Sequence, residues 1–118
     1  MGLEIARRER EGIAIFDVSG RLVVGEAVKL REAVNQAVAD GYKNAIVNLE
    51  GVDYVDSTGL GTLVICFTTL KKAGGVAKLL NLNRRNLDLL VLTKLTTVFD
   101  VFTDEQDAVN SFFPNREL

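Results

Sequence analysis

The stretch Ala45-Ile46-Val47-Asn48-Leu49-Glu50-Gly51-Val52-Asp53-Tyr54-Val55-Asp56-Ser57-Thr58-Gly59-Leu60-Gly61 changes character twice. Ala45 to Leu49 is a short apolar run with β-branched residues, the pattern of a strand covered on both faces. Asp53 to Gly61 is polar and glycine-bearing, and from Thr58 to Lys72 the apolar residues Leu60, Leu63, Val64, Phe67 and Leu70 recur at helical spacing until Gly74-Gly75 stops them. Strand, loop and helix in this order form half of a βαβ unit.

Working outward, Val76 to Leu80 reads as the next strand, Arg85 to Leu92 as a short helix with Leu87, Leu90 and Val91 inward, and Val98 to Phe102 as the last strand. Asp104 caps a closing helix through Phe113, with Asp107 in a capping-box-like position and Pro114 ending it. Upstream, Leu3 to Arg7 and Ile13 to Val18 flank the turn Glu11-Gly12 as an antiparallel hairpin. After Ser19-Gly20 an amphipathic helix spans Glu26 to Asp40, ended by Gly41. Strands alternating with helices demand parallel crossovers. The expected fold is therefore α/β: one domain over residues 1–118, a mixed sheet of about five strands with about four helices packed on it. Sites in such sheets lie beyond the C-terminal ends of the strands, which points to residues 50 to 61.

The 118 residues are 47% hydrophobic and hold one proline, enough for a single core. Charges nearly balance, 14 basic against 16 acidic, so a nucleic-acid partner is not expected. Cys66, the one cysteine, sits in the apolar run Leu63-Val64-Ile65-Cys66-Phe67, as suits the cytoplasm. No signal core, membrane span or myristoylation motif is legible at the N-terminus or beyond it. The chain contains no histidine, which removes the commonest general base and metal ligand. No cofactor or metal is expected.

At the start of the helix after Asp56, unpaired N–H groups and the positive end of the macrodipole would accommodate a phosphate borne by Ser57, with Gly59 and Gly61 leaving room for close backbone approach. The plain alternative is that Asp56 or Ser57 only caps the helix and the glycines only let it pack. A dinucleotide fingerprint fails because Val64 stands where its third glycine belongs, and no Gly-Lys-Ser or Gly-Lys-Thr exists for a nucleotide phosphate loop. A hydrolytic serine lacks its base; Lys71 and Lys72 lie about three turns from Ser57. Arg84 and Arg85, before the third helix, are candidates to grip a phosphate, although adjacent arginines in a polar loop are commonly only solvated.

Tyr54-Val55-Asp56-Ser57-Thr58-Gly59-Leu60-Gly61 resembles the signature loop of the STAS domain family. The resemblance runs from the hairpin ending in Ser19-Gly20 through Gly74-Gly75 to Leu92-Thr93-Lys94-Leu95 before Val98-Phe99. It implies a bacterial anti-sigma factor antagonist and not an enzyme. In that branch the serine directly after the loop aspartate is phosphorylated, which carries over to Ser57; Thr58 is the adjacent alternative. The implied partners are an anti-sigma factor with serine kinase activity, which brings ATP and Mg²⁺, and a serine phosphatase that resets the switch. The implied contact face comprises Asp56, Ser57, Thr58, Gly59, Leu60 and Gly61 with Arg21, Val23 and Val24. Family antagonists often carry an aspartate shortly after the glycine ending the second strand, whereas this chain reads Gly20-Arg21-Leu22-Val23-Val24-Gly25. Val23 and Val24 either pack or present an apolar contact. The competing readings are a non-catalytic scaffold subunit and a cytoplasmic helper of a transport complex.

Overall fold

Strands β1 (Glu4–Arg10) and β2 (Ile13–Leu22) pair antiparallel around Glu11 and Gly12. Both turn residues have positive φ, 52° and 82°, the backbone that matches the twist of a two-residue hairpin. The computed structural model describes residues 2–115; Met1 and residues 116–118 of the expected domain lie outside them. Three parallel strands follow: β3 (Ala45–Val55), β4 (Ala77–Leu80) and β5 (Val101–Phe102), giving the spatial order β1-β2-β3-β4-β5.

Because each crossover moves one strand along in the same sense, its helix falls on the same face of the sheet. Helices α1 (Val28–Ala39), α2 (Ser57–Lys72) and α3 (Arg84–Leu92) thus share one core. Leu30, Val34, Leu63, Cys66, Leu70 and Leu90 meet Phe16, Val47, Leu49 and Leu79 there. The alternate strand residues Ile13, Ile15, Ile46 and Leu80 point the other way, against Ala108 and Val109 of α4 (Glu105–Asn110). Phe112 and Phe113 are half-buried against this second core. Arg8 and Arg10 of β1 clamp Glu105 and hold its carboxyl down to about 2, the Arg8 hydrogen bond being the main cause. Among the described residues no helix is long and apolar enough to cross a membrane.

The mixed five-stranded sheet agrees with the expected fold; several boundaries do not. β3 continues from Leu49 to Val55, and β2 runs past Ser19-Gly20 to Leu22, because Arg21 and Leu22 pair with Tyr54 and Val55 after two register shifts. At the other end, Val98-Phe99 is not strand. A 3-10 turn at Leu95–Thr97 leads into it, and Phe99 drops into the core, edge-on to Phe67 at 5.4 Å between ring centroids. Its apolar character serves burial, not pairing. Helix α1 starts two residues later than expected, after the hydrogen-bonded turn in which Glu26 and Ala27 donate to Val23 O. Helix α4 ends at Asn110, well before Phe113; its expected cap is present, with Asp104 accepting from the Asp107 amide at 2.9 Å.

Candidate functional site

The extended pairing of β2 with β3 carries both strands past the end of β4, which pairs only with Ala45 to Asn48. On the β2 side, Leu22 O accepts from the Asp56 amide at 3.2 Å. On the other side no strand reaches residues 52 to 55, and a buried polar backbone needs partners. The first turn of α3 supplies them. Asn86, fully buried, accepts from Val55 N at 3.2 Å and donates to Val52 O at 3.2 Å; Asn83 donates to Asp53 O at 3.1 Å. Arg85 Nη1 donates to Val55 O at 3.0 Å. Three side chains thus replace a missing strand.

Beyond this brace the chain enters α2 through Asp56, whose backbone is extended, as an N-cap requires. Its Oδ1 accepts from Gly59 N at 2.8 Å and its Oδ2 from Val24 N at 3.0 Å. These amides, Gly59 first, hold the Asp56 carboxyl below the usual carboxylate range. One side chain therefore starts the helix and ties to it the turn that Val23 O closes with Glu26 and Ala27. Gly59 lies against Leu22, where an added Cβ would stand 2.0 Å from Leu22 O. Gly61, one half-turn on, faces open space.

Ser57 and Thr58 occupy the first two helical positions, both exposed, and no described residue engages either hydroxyl. Leu60, 9% exposed, belongs to the main core and Gly59 is buried beneath Leu22, so these two shape the loop from inside and offer little surface for the contact expected of them. Arg21 belongs to β2 and not to a loop. The valines divide: Val23 is half-buried, while Val24 is 71% exposed beside Asp56. The accessible face is thus Ser57, Thr58, Gly61, Val24 and Arg21.

Sequence reasoning missed Tyr54, Asn83 and Asn86. Arg21 pairs with Tyr54 across the β2–β3 ladder, and its guanidinium lies over the Tyr54 ring at 4.6 Å; that of Arg85 lies over the same ring at 3.7 Å. Asn83, opening a helix as an N-cap, carried the one readable signal: it accepts from Asn86 N at 2.8 Å. Arg84 is a separate case, exposed and 3.3 Å from Asp88 one turn on.

The STAS domain family model matches residues 4–108. An anti-sigma-B factor antagonist of Bacillus subtilis (strain 168) is 32% identical over 109 residues, covering 92% of this chain and 99% of that protein. Among solved structures, an anti-sigma factor antagonist from Mycobacterium paratuberculosis superposes with a TM-score of 0.84 at 22% identity, over 94% of each chain. The Bacillus cell fate determinant SpoIIAA in its phosphorylated form does so with a TM-score of 0.72 at 18% identity, over 92% of this chain and 98% of that one. The structural likenesses speak for the fold.

Proposed function

Because this chain belongs to the STAS domain family, we propose that it is an anti-sigma factor antagonist, a regulatory binding protein whose switch is phosphorylation of Ser57. Unphosphorylated, it binds an anti-sigma factor in the cytoplasm and frees a sigma factor. The anti-sigma factor is also a serine kinase: with its own ATP and Mg²⁺ it transfers the γ-phosphoryl group to Ser57 Oγ. The new O–P bond replaces the bond to the departing ADP, and the serine proton goes to a base of the kinase. A serine phosphatase restores the hydroxyl. The chain itself performs no catalysis in this cycle.

The observation that supports this reading best is the division of roles between adjacent residues. Asp56 commits both carboxylate oxygens to backbone amides, so the loop is already shaped, while the Ser57 hydroxyl beside it is exposed and unengaged. A phosphate there adds about 1.5 to 2 negative charges at a helix N-terminus, which tolerates them. At a partner interface the same charge must be desolvated next to Asp56. Decisive release takes a few kcal/mol of differential affinity, within reach of like-charge contact and desolvation.

The test uses wild type, Ser57→Ala and Ser57→Asp as baits in the source cell's lysate, with partners identified by mass spectrometry. The partner held by Ser57→Ala is then purified and given Mg-ATP and the wild-type chain. The expected outcome is an ATP-binding kinase-type protein retained by Ser57→Ala, lost from Ser57→Asp, and placing phosphate on Ser57. Identical partners from all three baits reject the switch and favour a scaffold.

A further inference from the structure

Arg21 and Arg85 differ from the charged residues around them in having no carboxylate partner among the described residues. Arg85 is nonetheless held in place. Its Nη1 bonds Val55 O and Asn86 Oδ1, at 3.0 and 3.1 Å, and its plane lies on Tyr54. The Nη2 and Nε donors remain for an anion, in the fork geometry that suits phosphate. Val55 is two residues before Ser57, two Cα steps of about 3.8 Å, a span that a phosphoserine and a guanidinium bridge from its two ends. The Asp56 carboxylate is committed elsewhere: it accepts from Val24 N on the β2 side, whereas Arg85 reaches Val55 O from the α3 side.

We propose that Arg85, positioned by Tyr54 and Asn86 and supported by the neighbouring charge of Arg21, is the internal counterion of a phosphate on Ser57. The proposal rests on Ser57 being the phosphorylated residue. Phosphorylation then acts twice on the contact face: it adds a dianion, and it withdraws the Arg85 guanidinium from whatever acidic group of the partner it meets in the unmodified state. Of the remaining charges of these elements, Glu50 and Asp53 on β3 and the Arg84–Asp88 pair on α3 are exposed, and Asp17 on β2 is paired with Arg8.

Phosphoserine is installed at position 57 of the full chain during translation, and the second ionisation of the phosphate is followed by phosphorus NMR at low salt. Helix N-terminus and Asp56 act alike in every variant, so the difference between wild type and Arg85→Gln reports Arg85. The expected result is a wild-type ionisation about half a unit lower, a threefold change in the dissociation constant, with a smaller difference for Arg21→Gln. Coincident titrations of wild type and Arg85→Gln overturn the proposal. Should Arg85→Gln not fold, the Arg85 Nε–H resonance of the wild-type chain decides: it shifts and exchanges more slowly with phosphate present, and an unchanged signal overturns it equally. Since the phosphate is installed beforehand, absence of a kinase would reject the proposed function and leave this result standing.

Discussion

Two glycines half a turn apart in one motif, Gly59 and Gly61, are expected to respond to alanine with opposite signs. At position 59 the new Cβ would stand 2.0 Å from Leu22 O, 2.9 Å from Leu22 C and 3.0 Å from Leu22 Cγ. Two of these are backbone atoms of β2, so the start of α2 and the end of β2 must part by about 1 Å to reach even the closest contact that real side chains show. That movement pulls on the Leu22 O bond to the Asp56 amide and on the Asp56 cap at Gly59. Overpacking costs about 1 to 3 kcal/mol, or more against backbone, and a weakened cap about 1. Replacing a helical glycine by alanine returns about 1. With overpacking at the upper end of that range, as the two backbone contacts argue, the net is a loss of about 3 kcal/mol, a large part of the stability of a domain this size. With a urea slope of about 1.5 kcal/mol per molar, the unfolding midpoint falls by about 2 M. Gly61→Ala meets nothing within 4 Å and keeps only the propensity gain, raising the midpoint by about 0.5 M. An unchanged midpoint for Gly59→Ala, or equal losses at both positions, would refute the close-approach reasoning.

Asp56→Ala removes the cap and the bridge to Val24, costing about 1 to 2 kcal/mol at pH 7 by urea unfolding. Because the folded Asp56 carboxyl is held below its unfolded value, that contribution is full above about pH 4 and fades as pH falls through the lowered folded value. The gap between variant and wild type should therefore narrow in acid; a constant gap down to pH 2 would contradict the cap. Asn86→Ala strands the backbone of Val52 and Val55 and should cost about 2 to 4 kcal/mol. Hydrogen exchange at the Val55 amide is the sensitive readout, and slow exchange in the variant would show that α3 does not brace the loop. Cys66 is buried and its thiol is pushed up to about 12 by desolvation, so thiol reagents should label it only at the rate of unfolding. Rapid labelling of the native chain would show that α2 opens locally.

Much of the architecture was legible because it depends on near neighbours. The 3.6-residue recurrence of Leu60, Leu63, Phe67 and Leu70 and the apolar run at Ala45 to Leu49 carry their burial with them. The cap at Asp56 is a local matter of one carboxylate and an amide three residues on. Phe99 shows the limit: apolar content announces burial but does not distinguish a strand from a loop that inserts one ring.

The order of elements, the α/β class and the motif that places Ser57 at a helix start all follow from local patterns in the chain. How that start is held follows from packing between distant segments. The β2–β3 ladder runs on to Leu22 and Val55 through two register shifts in the same sense, each adding one residue to β3, between strands far apart in sequence. The unpaired edge this creates is closed by Asn83, Arg85 and Asn86, some thirty residues from the groups they bond. The joining of Arg21, Tyr54 and Arg85 likewise requires two strands and a helix to meet. No local pattern encodes such meetings, since each depends on distances set by the packing of the whole sheet.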